Sequence, residues 1–543
     1  MTASCFIGVD VGTGSARAGV FDAKGEMLAS SKHDIALYQD GPNLAEQSSG
    51  DIWRAVCASV REAVAGAALS GDDIAGIGFD ATCSLVVLGP EGAGLAVGPH
   101  GDKSRDIIVW MDHRAIEQAR RINRTRHRVL DYVGGVISPE METPKLLWLK
   151  ENLPETYASA WQFFDLADFL TWRSTGSLAR SVCTVTCKWT YVSHEQQWDE
   201  SYFRQIGLGD LADQGFARIG TEIVPAGQAL GKGLTASAAV ELGLKPGTPV
   251  AAGMIDAHAG GVGSVGGKDA GGAVTTRMAY VLGTSACTMA SSSEPIFIPG
   301  VWGPYYSAMV PGLWLSEGGQ SSAGAAIDQL VNLHPASGAA RALAASHGVS
   351  VPHMLADLAA ADLPSLSHAS DRAGDLIVVP DFLGNRAPHA DPDARAIIAG
   401  LGVERDLDSL VALYVAGLLG IGYGLRQIIA ASAAKGATIE TIAISGGAGS
   451  HPLVRQLLAD CTGVPVAASA QPEPVLLGAA MLAATASGSF EDLEGAMTAM
   501  SSAGETYIPA EGAFTHQHEQ RFEGFELLQT AARSARKLSH PER

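Results

Sequence analysis

The sequence predicts an α/β protein built from two related halves with a hinge and a cleft between them. An apolar run, a glycine turn and a second apolar run occupy residues 6–22, and a similar arrangement recurs at residues 279–290. Seven glycines lie in residues 260–273, where we expect a flexible loop that serves as the hinge. Because a repeated pattern indicates a duplicated unit, we divide the chain into residues 1–265 and residues 266–543.

The hairpin predicted at residues 6–22 carries the first candidate site. Its first run, residues 6–11, is too short for a helix and too apolar for an exposed strand. The turn at residues 12–15 offers backbone N–H groups and two hydroxyls, which can contact phosphate oxygens. Asp10 precedes the turn, and a carboxylate beside phosphates requires a cation such as Mg²⁺ between them. From these residues alone, an ordinary hairpin with a surface aspartate remains the alternative.

The elements that follow in the first half alternate between strand and helix. Residues 27–37 form a third predicted strand, and apolar residues spaced four apart predict a helix over residues 51–68. Short apolar runs at residues 74–79 and 85–88 are typical of buried strands. This order favours a mixed sheet with an antiparallel edge and helices packed on it.

The second half repeats these element types. Strands are predicted at residues 376–380 and 441–444, and small residues at 478–486 predict a helix that packs closely. Residues 410–425 lack charge over sixteen positions, which is shorter than the roughly 20 residues that a membrane span needs. That segment also contains four glycines, and we expect a buried helix.

Composition excludes several classes of partner. Hydrophobic residues make up 47% of the chain and charged residues 17%, as in soluble globular proteins. The net charge of −20 argues against nucleic acid and anionic membranes as partners. The seven cysteines are scattered and form no Cys-x-x-Cys pair, which favours a reducing compartment over a disulfide framework or zinc site. With no basic and apolar leader visible, we expect a cytoplasmic protein.

Two familiar nucleotide motifs do not account for this chain. Residues 261–266 match Gly-x-Gly-x-x-Gly, but that pattern must open a helix, and here it continues into further glycines where we expect a loop. No Gly-x-x-x-x-Gly-Lys-Ser/Thr sequence occurs. ATP would therefore need glycine hairpins and a metal ion.

Three charged residues are candidates for the chemistry of a small-molecule site. Asp256 lies at a predicted strand end before the glycine stretch, where a carboxylate base could receive a proton from a hydroxyl during phosphoryl transfer. Lys188 lies between Cys187 and Trp189, which favours partial burial. Glu317 follows an apolar strand and precedes two glycines. The alternatives are two turn-forming carboxylates and a solvated lysine.

These residues together resemble the FGGY carbohydrate kinases, from residue 6 to about residue 488. The resemblance implies two ribonuclease H-like domains of the actin-like ATPase fold. The segments that resemble the ribulokinase branch of the family are residues 80–84, 109–115, 187–189, 255–260 and 317–320. The family often has an asparagine near the adenine where this chain has Ser450 and His451.

The resemblance also implies a role for each candidate residue. Asp256 would be the general base, and Asp10 would hold Mg²⁺. The sugar would contact Ala81, Thr82, Lys188, Asp256 and Glu317. The phosphates and the rest of ATP would contact Gly12, Thr13, Ser15, Gly283, Thr284, Gly324, Asn385, Gly447, Ala448 and His451.

The implied activity is the ATP-dependent phosphorylation of a ketopentose, with D-ribulose converted to D-ribulose 5-phosphate. L-Ribulose, xylulose and other polyols remain alternative substrates. A protein of a different class, a sensor that binds sugar and nucleotide without transferring phosphate, is the other alternative. We expect a small-molecule sugar and ATP as partners, no nucleic acid or membrane partner, and a homodimer.

Overall fold

Two mixed β-sheets organise the protein in a computed structural model, which describes residues 4–41, 43–267 and 271–539. In chain order the strands are β1 (Cys5–Val11), β2 (Ser15–Phe21), β3 (Met27–Asp34), β4 (Tyr38–Gly41), β5 (Leu44–Gln47), β6 (Ile74–Ala81), β7 (Leu85–Leu88), β8 (Ile107–Ile108), β9 (Gln162–Asp165), β10 (Arg180–Ser181), β11 (Ile223–Val224), β12 (Met254–Ile255), β13 (Arg277–Leu282), β14 (Ala286–Ser292), β15 (Trp302–Tyr306), β16 (Trp314–Gln320), β17 (Ile377–Val379), β18 (Ile397–Ala399), β19 (Thr441–Ser445), β20 (Val466–Ser469) and β21 (Ala503–Tyr507).

Helices cover the two sheets and connect their parallel strands. In chain order the α-helices are α1 (Ser49–Gly66), α2 (Ile116–Arg124), α3 (Glu142–Asn152), α4 (Pro154–Ser159), α5 (Leu166–Thr175), α6 (Val182–Trp189), α7 (Glu200–Ile206), α8 (Gly209–Asp213), α9 (Ala236–Leu242), α10 (Asp256–Val265), α11 (Gly324–Leu333), α12 (Ser337–His347), α13 (Val351–Ala360), α14 (Leu407–Ala433), α15 (Pro452–Thr462), α16 (Pro474–Ala486), α17 (Leu493–Met500) and α18 (Ala513–Ser539).

The two large sheets share one topology. The first has the strand order β12-β6-β1-β2-β3, with β1, β2 and β3 antiparallel and β1, β6 and β12 parallel. In the second, the order β20-β19-β13-β14-β16 repeats those directions, and β21 and β15 extend its two edges. The prediction of two related α/β halves is confirmed.

This topology places acidic side chains at one edge of the first sheet. Asp10 near the end of β1 pairs in register with Asp80 near the end of β6. Asp256 directly follows β12, the next parallel strand. Because the carboxyl ends of parallel strands lie at the same edge of a sheet, ligand sites commonly form there.

The prediction that the glycine stretch is a loop was wrong for its first part. Helix α10 extends through residue 265, while residues 268–270 of the predicted hinge lie outside the described residues. A Cβ atom on Gly263 would lie 1.9 Å from the carbonyl oxygen of Pro474 at the start of α16. The glycine therefore permits backbone contact between two helices, which sequence patterns do not distinguish from a flexible turn.

Helix α16 shows the same close packing on its other contacts. A Cβ atom on Gly478 would lie 2.0 Å from the carbonyl oxygen of Ala259 in α10. Gly8 in β1 and Gly78 in β6 likewise lie against α16, where added Cβ atoms would come within 2.0 and 2.1 Å of its backbone oxygens. The small residues of α16 thus let it contact both the first sheet and α10, as predicted for a closely packed helix.

Helix α14 is long and apolar enough to cross a membrane by length and composition, and it alone passes this test among the described residues. However, 72% of its most apolar window is buried within the protein. A Cβ atom on Gly420 would lie 2.2 Å from the carbonyl oxygen of Val378. The prediction of a buried helix in this segment is confirmed.

We predict that Gly478→Ala destabilises the protein by roughly 1–3 kcal/mol or more, because the added methyl group forces α10 and α16 apart. The measurement is the thermal unfolding midpoint. Gly338→Ala is the matched control, since Gly338 also lies in a helix but has open space within 4 Å of an added Cβ. The control should be neutral or stabilising by up to about 1 kcal/mol. Equal midpoints for the Gly478 variant and the wild type would contradict the packing account.

Candidate active site

A cleft of about 330 Å³ opens where the edges of the two large sheets face each other. The N-terminal half contributes the following lining residues: Asp10, Gly12, Thr13, Arg17, Thr82, Cys83, Trp110, Glu140, Lys188, Ile255, Asp256 and Ala257. The C-terminal half contributes Val281, Gly283, Thr284, Ser285, Cys287, Trp302, Glu317, Arg386 and Val475. Nine of the residues that the sequence nominated are among them: Asp10, Gly12, Thr13, Thr82, Lys188, Asp256, Gly283, Thr284 and Glu317.

Three aspartates lie close together here: Asp10 and Asp256 line the cleft, and the buried Asp80 pairs with Asp10 in the sheet. Arg17 Nε donates a hydrogen bond of 2.9 Å to Asp10 Oδ2, and Arg17 Nη1 contacts Glu473 Oε2 at 2.7 Å. Burial and the charge of Asp10 raise the pKa of Asp256 to about 6. Burial, then Asp10 and Asp256, raise the pKa of Asp80 well above its ordinary value. Of these three carboxyl groups, Arg17 contacts that of Asp10.

The chemistry of these donors fits a divalent cation. Asp80 is fully buried, and neither of its carboxylate oxygens accepts a hydrogen bond from a described residue. Asp10, its neighbour in the sheet, lines the cleft and is 3% exposed. Mg²⁺ prefers oxygen ligands of this type.

The first glycine turn is braced by hydrogen bonds on three sides. Gly12 N donates to Ser15 O at 3.0 Å and closes the turn. Trp110 Nε1 donates to Thr13 Oγ1 at 2.9 Å, and Gln47 Nε2 donates to Thr13 O at 2.7 Å. The Thr13 hydroxyl therefore keeps its own hydrogen to donate into the cleft. Ser15 begins β2 and does not line the cleft.

The second glycine turn faces the same cleft and is supported from behind. Gly283 N donates to Ser285 O at 2.9 Å. Gly324 N donates to Gly283 O at 2.9 Å, and a Cβ atom on Gly324 would lie 2.7 Å from that oxygen. Gly324 thus packs directly against the turn, and a residue with a side chain could not approach it so closely.

Lys188 and Glu317 form the wall of the cleft beyond Asp256. Lys188 is 5% exposed and Glu317 is 6% exposed, and Lys188 Nζ lies 3.7 Å from Glu317 Oε1. The ammonium group also lies 4.6 Å from the centre of the Trp302 ring. Burial alone would raise the pKa of Glu317, but Lys188 and His258 lower it to about 2. The wall therefore presents a fixed anion beside a fixed cation.

The structure does not bring Ala81 to the cleft. Ala81 is fully buried in β6, where it pairs with Val11 and Ile255. Thr82 and Cys83, the next two residues, line the cleft instead. The sequence placed the sugar contact in this segment but did not single out Cys83.

The residues nominated for the rest of the nucleotide lie outside this cleft. Gly447 and Ala448 are exposed after β19, whose parallel partner β13 leads into the second glycine turn. Asn385 precedes Arg386, a cleft residue, and donates to Asp381 Oδ1 at 3.1 Å. His451 accepts from Leu453 N at the start of α15. The nucleotide contacts of these residues stay predictions.

Sequence reasoning assigned no role to several residues that line the cleft. Arg17 carried a usable signal, because a hairpin register that pairs Val11 with Ala16 also pairs Asp10 with Arg17. Arg386 lies 5.5 Å from the centre of the Trp302 ring. The contact between Arg386 and Trp302 joins distant parts of the chain, and no local sequence pattern predicts it. Glu140 likewise carried no local signal.

Comparison with known proteins agrees with this geometry. The model of the FGGY family of carbohydrate kinases, N-terminal domain, matches residues 5–263, and that of the C-terminal domain matches residues 278–487. An FGGY carbohydrate kinase domain-containing protein from Homo sapiens is 47% identical over 93% of this chain and 92% of its own length. A D-ribulokinase from Saccharomyces cerevisiae is 38% identical over 90% of this chain and 73% of its own length.

Solved structures show the same fold at lower identity. A xylulose kinase from Rhodospirillum rubrum superimposes with a TM-score of 0.79 at 21% identity, covering 97% of this chain and 98% of that chain. A Plasmodium falciparum glycerol kinase with ADP superimposes with a TM-score of 0.78 at 15% identity, covering 98% of each. Both family models, the relatives and the two-domain actin-like ATPase fold lead to one conclusion: the chain belongs to the FGGY family of carbohydrate kinases.

Proposed function

We propose that this carbohydrate kinase transfers the γ-phosphoryl group of ATP to a ketopentose and converts D-ribulose to D-ribulose 5-phosphate. One observation carries the proposal. The cleft brings Asp256 together with both glycine turns and with the Lys188–Glu317 wall. The D-ribulokinase from yeast supports the choice of D-ribulose, and a ribulokinase from Shouchella clausii, 29% identical to this chain, supports ribulose without distinguishing its D and L forms.

Asp256 is the proposed general base. Ala257 N donates a hydrogen bond of 2.7 Å to Asp256 Oδ1 at the start of α10, which leaves Oδ2 to accept a proton. In the reaction, Oδ2 takes the proton from the terminal hydroxyl of the sugar as that oxygen attacks the γ-phosphorus. The bond between phosphorus and the β,γ-bridging oxygen breaks, and ADP leaves with the electron pair.

The remaining sugar contacts follow from the wall of the cleft. Lys188 donates hydrogen bonds to hydroxyl or carbonyl oxygens, whereas the ionised Glu317 accepts them from hydroxyl groups. Thr82 offers a hydroxyl from the first sheet, and Trp302 offers an apolar face. Ala81, nominated as a sugar contact, is instead proposed to support Thr82 from within β6.

The glycine turns are proposed to bind the phosphates. Gly12 and Thr13, with Ser15 supporting them, form the first phosphate loop, and Gly283 and Thr284 form the second. Asp10, with Asp80 beside it, would hold Mg²⁺, which when bound neutralises charge on the phosphates. We assign the remaining contacts with the nucleotide to Gly324, Asn385, Gly447, Ala448 and His451.

The proposal extends to organisation and location. The domain division at residues 265 and 266 places β1 to β12 in a sugar-binding domain and β13 to β21 in a nucleotide-binding domain. We further propose a cytoplasmic homodimer. Light scattering after size-exclusion chromatography measures its mass directly, against 56.1 kDa for one chain.

We predict that the wild type releases ADP with D-ribulose in preference to L-ribulose, xylulose and other polyols. Asp256→Asn should bind the sugar but lose at least roughly 10²–10⁴-fold in turnover, the contribution of a positioned base. A coupled ADP assay and calorimetric sugar binding provide the two measurements. Sugar binding without ADP release by the wild type would instead indicate a sensor, and near wild-type turnover by the variant would reject Asp256 as the base.

The raised pKa of Asp256 predicts that its ionised carboxylate lowers the stability of the folded protein. Since its pKa in the folded protein is about 6 against an ordinary 3.8, the ionised form is the destabilised one. Asp256→Asn should therefore raise the thermal unfolding midpoint at pH 8, and this gain should shrink as the pH falls from about 6 towards 4. Asp72→Asn is the control, because the Asp72 side chain is 77% exposed. A midpoint for Asp256→Asn at or below wild type at pH 8 would contradict this account.

For Asp10→Asn we predict weakened use of the metal–nucleotide complex with sugar affinity retained. The asparagine keeps an oxygen for Arg17 but removes the charge that attracts the cation. Binding of Mn²⁺ in the presence of ATP, followed by electron paramagnetic resonance, should weaken at least roughly tenfold. Calorimetry without nucleotide should give a sugar Kd within about twofold of wild type. Equal loss of both affinities would reject the role assigned to Asp10.

A further inference from the structure

A buried row of polar side chains continues from Glu317 away from the cleft. Glu317 Oε2 lies 3.3 Å from His258 Nε2, and His258 Nδ1 lies 3.1 Å from Cys183 Sγ. The same sulfur accepts the backbone N–H of Ile255 at 3.5 Å. His258 and Cys183 are both fully buried. The mechanism above uses neither side chain, yet both are linked to a residue that it does use.

The charges in this row favour one pattern of donors and acceptors. Burial alone would lower the pKa of His258, but Cys183 and Glu317 raise it to about 10. Burial alone would raise the pKa of Cys183, but Cys187, His258 and the Ile255 N–H lower it to about 5. The ionised Glu317 carboxylate can only accept, so His258 Nε2 donates to it, and the directions of the two pKa shifts favour Nδ1 as the donor to the sulfur.

Each oxygen of the Glu317 carboxylate consequently has its own cation. Lys188 Nζ lies near Oε1, and His258 Nε2 lies near Oε2. Lys188 and Cys183 belong to α6 and His258 belongs to α10, whereas Glu317 belongs to β16 in the second sheet. The row thus joins the two halves behind the wall of the cleft, and His258 lies two residues after Asp256.

A metal ion is a second interpretation of part of this cluster. Ligand atoms of Cys183, Cys187 and His258 lie within 4.8 Å of one another. A structural zinc site takes four ligands, and the cluster supplies three among the described residues. The 3.1 Å between Nδ1 and Sγ also fits a hydrogen bond. We therefore argue from the hydrogen-bonded row.

We propose that His258 and Cys183 are positioning residues of the sugar site: His258 orients the Glu317 carboxylate towards the substrate, and Cys183 orients His258. The inference rests on the proposed function, because it requires Glu317 to accept hydrogen bonds from the sugar. Without His258, Oε2 would be buried without a donor, and the carboxylate would turn towards Lys188. The side chain that recognises the sugar would then be misplaced while the phosphate loops stay intact.

The test is steady-state kinetics with D-ribulose and ATP, supported by thermal unfolding of every variant. His258→Leu should raise the KM for the sugar at least roughly tenfold, since a charged hydrogen bond is lost, and leave the KM for ATP within about twofold. His258→Gln should recover part of the loss, because its amide can still donate. Cys183→Ala should show a smaller rise in the sugar KM, which Cys183→Ser should reduce. Should His258→Leu not fold, the two Cys183 variants carry the same test.

Two controls separate positioning from general stability. His518→Leu removes another buried histidine, whose Nδ1 lies 2.9 Å from Tyr423 Oη and 3.7 Å from Cys461 Sγ, and it should leave the sugar KM unchanged. In a Glu317→Gln background, His258→Leu should add little further loss, because both act through one carboxylate.

The outcomes distinguish this inference from the proposed function. An active wild type whose sugar KM is unchanged by His258→Leu, or whose losses add fully in the double variant, overturns the positioning role and leaves the kinase assignment intact. A wild type that releases ADP with no ketopentose overturns the proposed function, and the positioning role with it.

Discussion

Backbone contact between α10 and α16 is the constraint on which the rest of the site depends. Gly263 and Gly478 let each helix touch the other's carbonyl oxygens, and Gly8 and Gly78 let α16 rest on the first sheet. Helix α16 lies within the match to the C-terminal domain of the family, yet it packs on strands of the N-terminal one. The contact therefore joins the halves and fixes the start of α10, from which Asp256 faces the cleft.

The cleft has two parts that differ in how their charged side chains are paired. At the end of the first sheet, three crowded carboxyl groups lie beside the single guanidinium of Arg17, which suits the binding of a divalent cation together with anionic phosphates. At the sugar wall, the Glu317 carboxylate faces Lys188 at one oxygen and His258 at the other, so its position is held from both sides.

Much of this arrangement follows from local patterns. Apolar runs and turns predicted both hairpins and two related halves, and local patterns nominated Asp10, Asp256, Lys188 and Glu317, which the fold brings to one cleft. The glycines of α10 were misjudged because a glycine needed for close helix packing has the same local sequence as one needed for a turn. Arg386 reaches the cleft through long-range packing, about which neighbouring residues carry no information.

The central claim is that Asp256 directs phosphoryl transfer to the terminal hydroxyl of a ketopentose. The most direct measurement is nuclear magnetic resonance of the product formed from ATP and D-ribulose labelled with carbon-13 at C5. The account predicts a single phosphorylated product whose C5 signal is split by coupling to phosphorus, and none from Asp256→Asn. Phosphate on another carbon, or the same product from the variant, would contradict it.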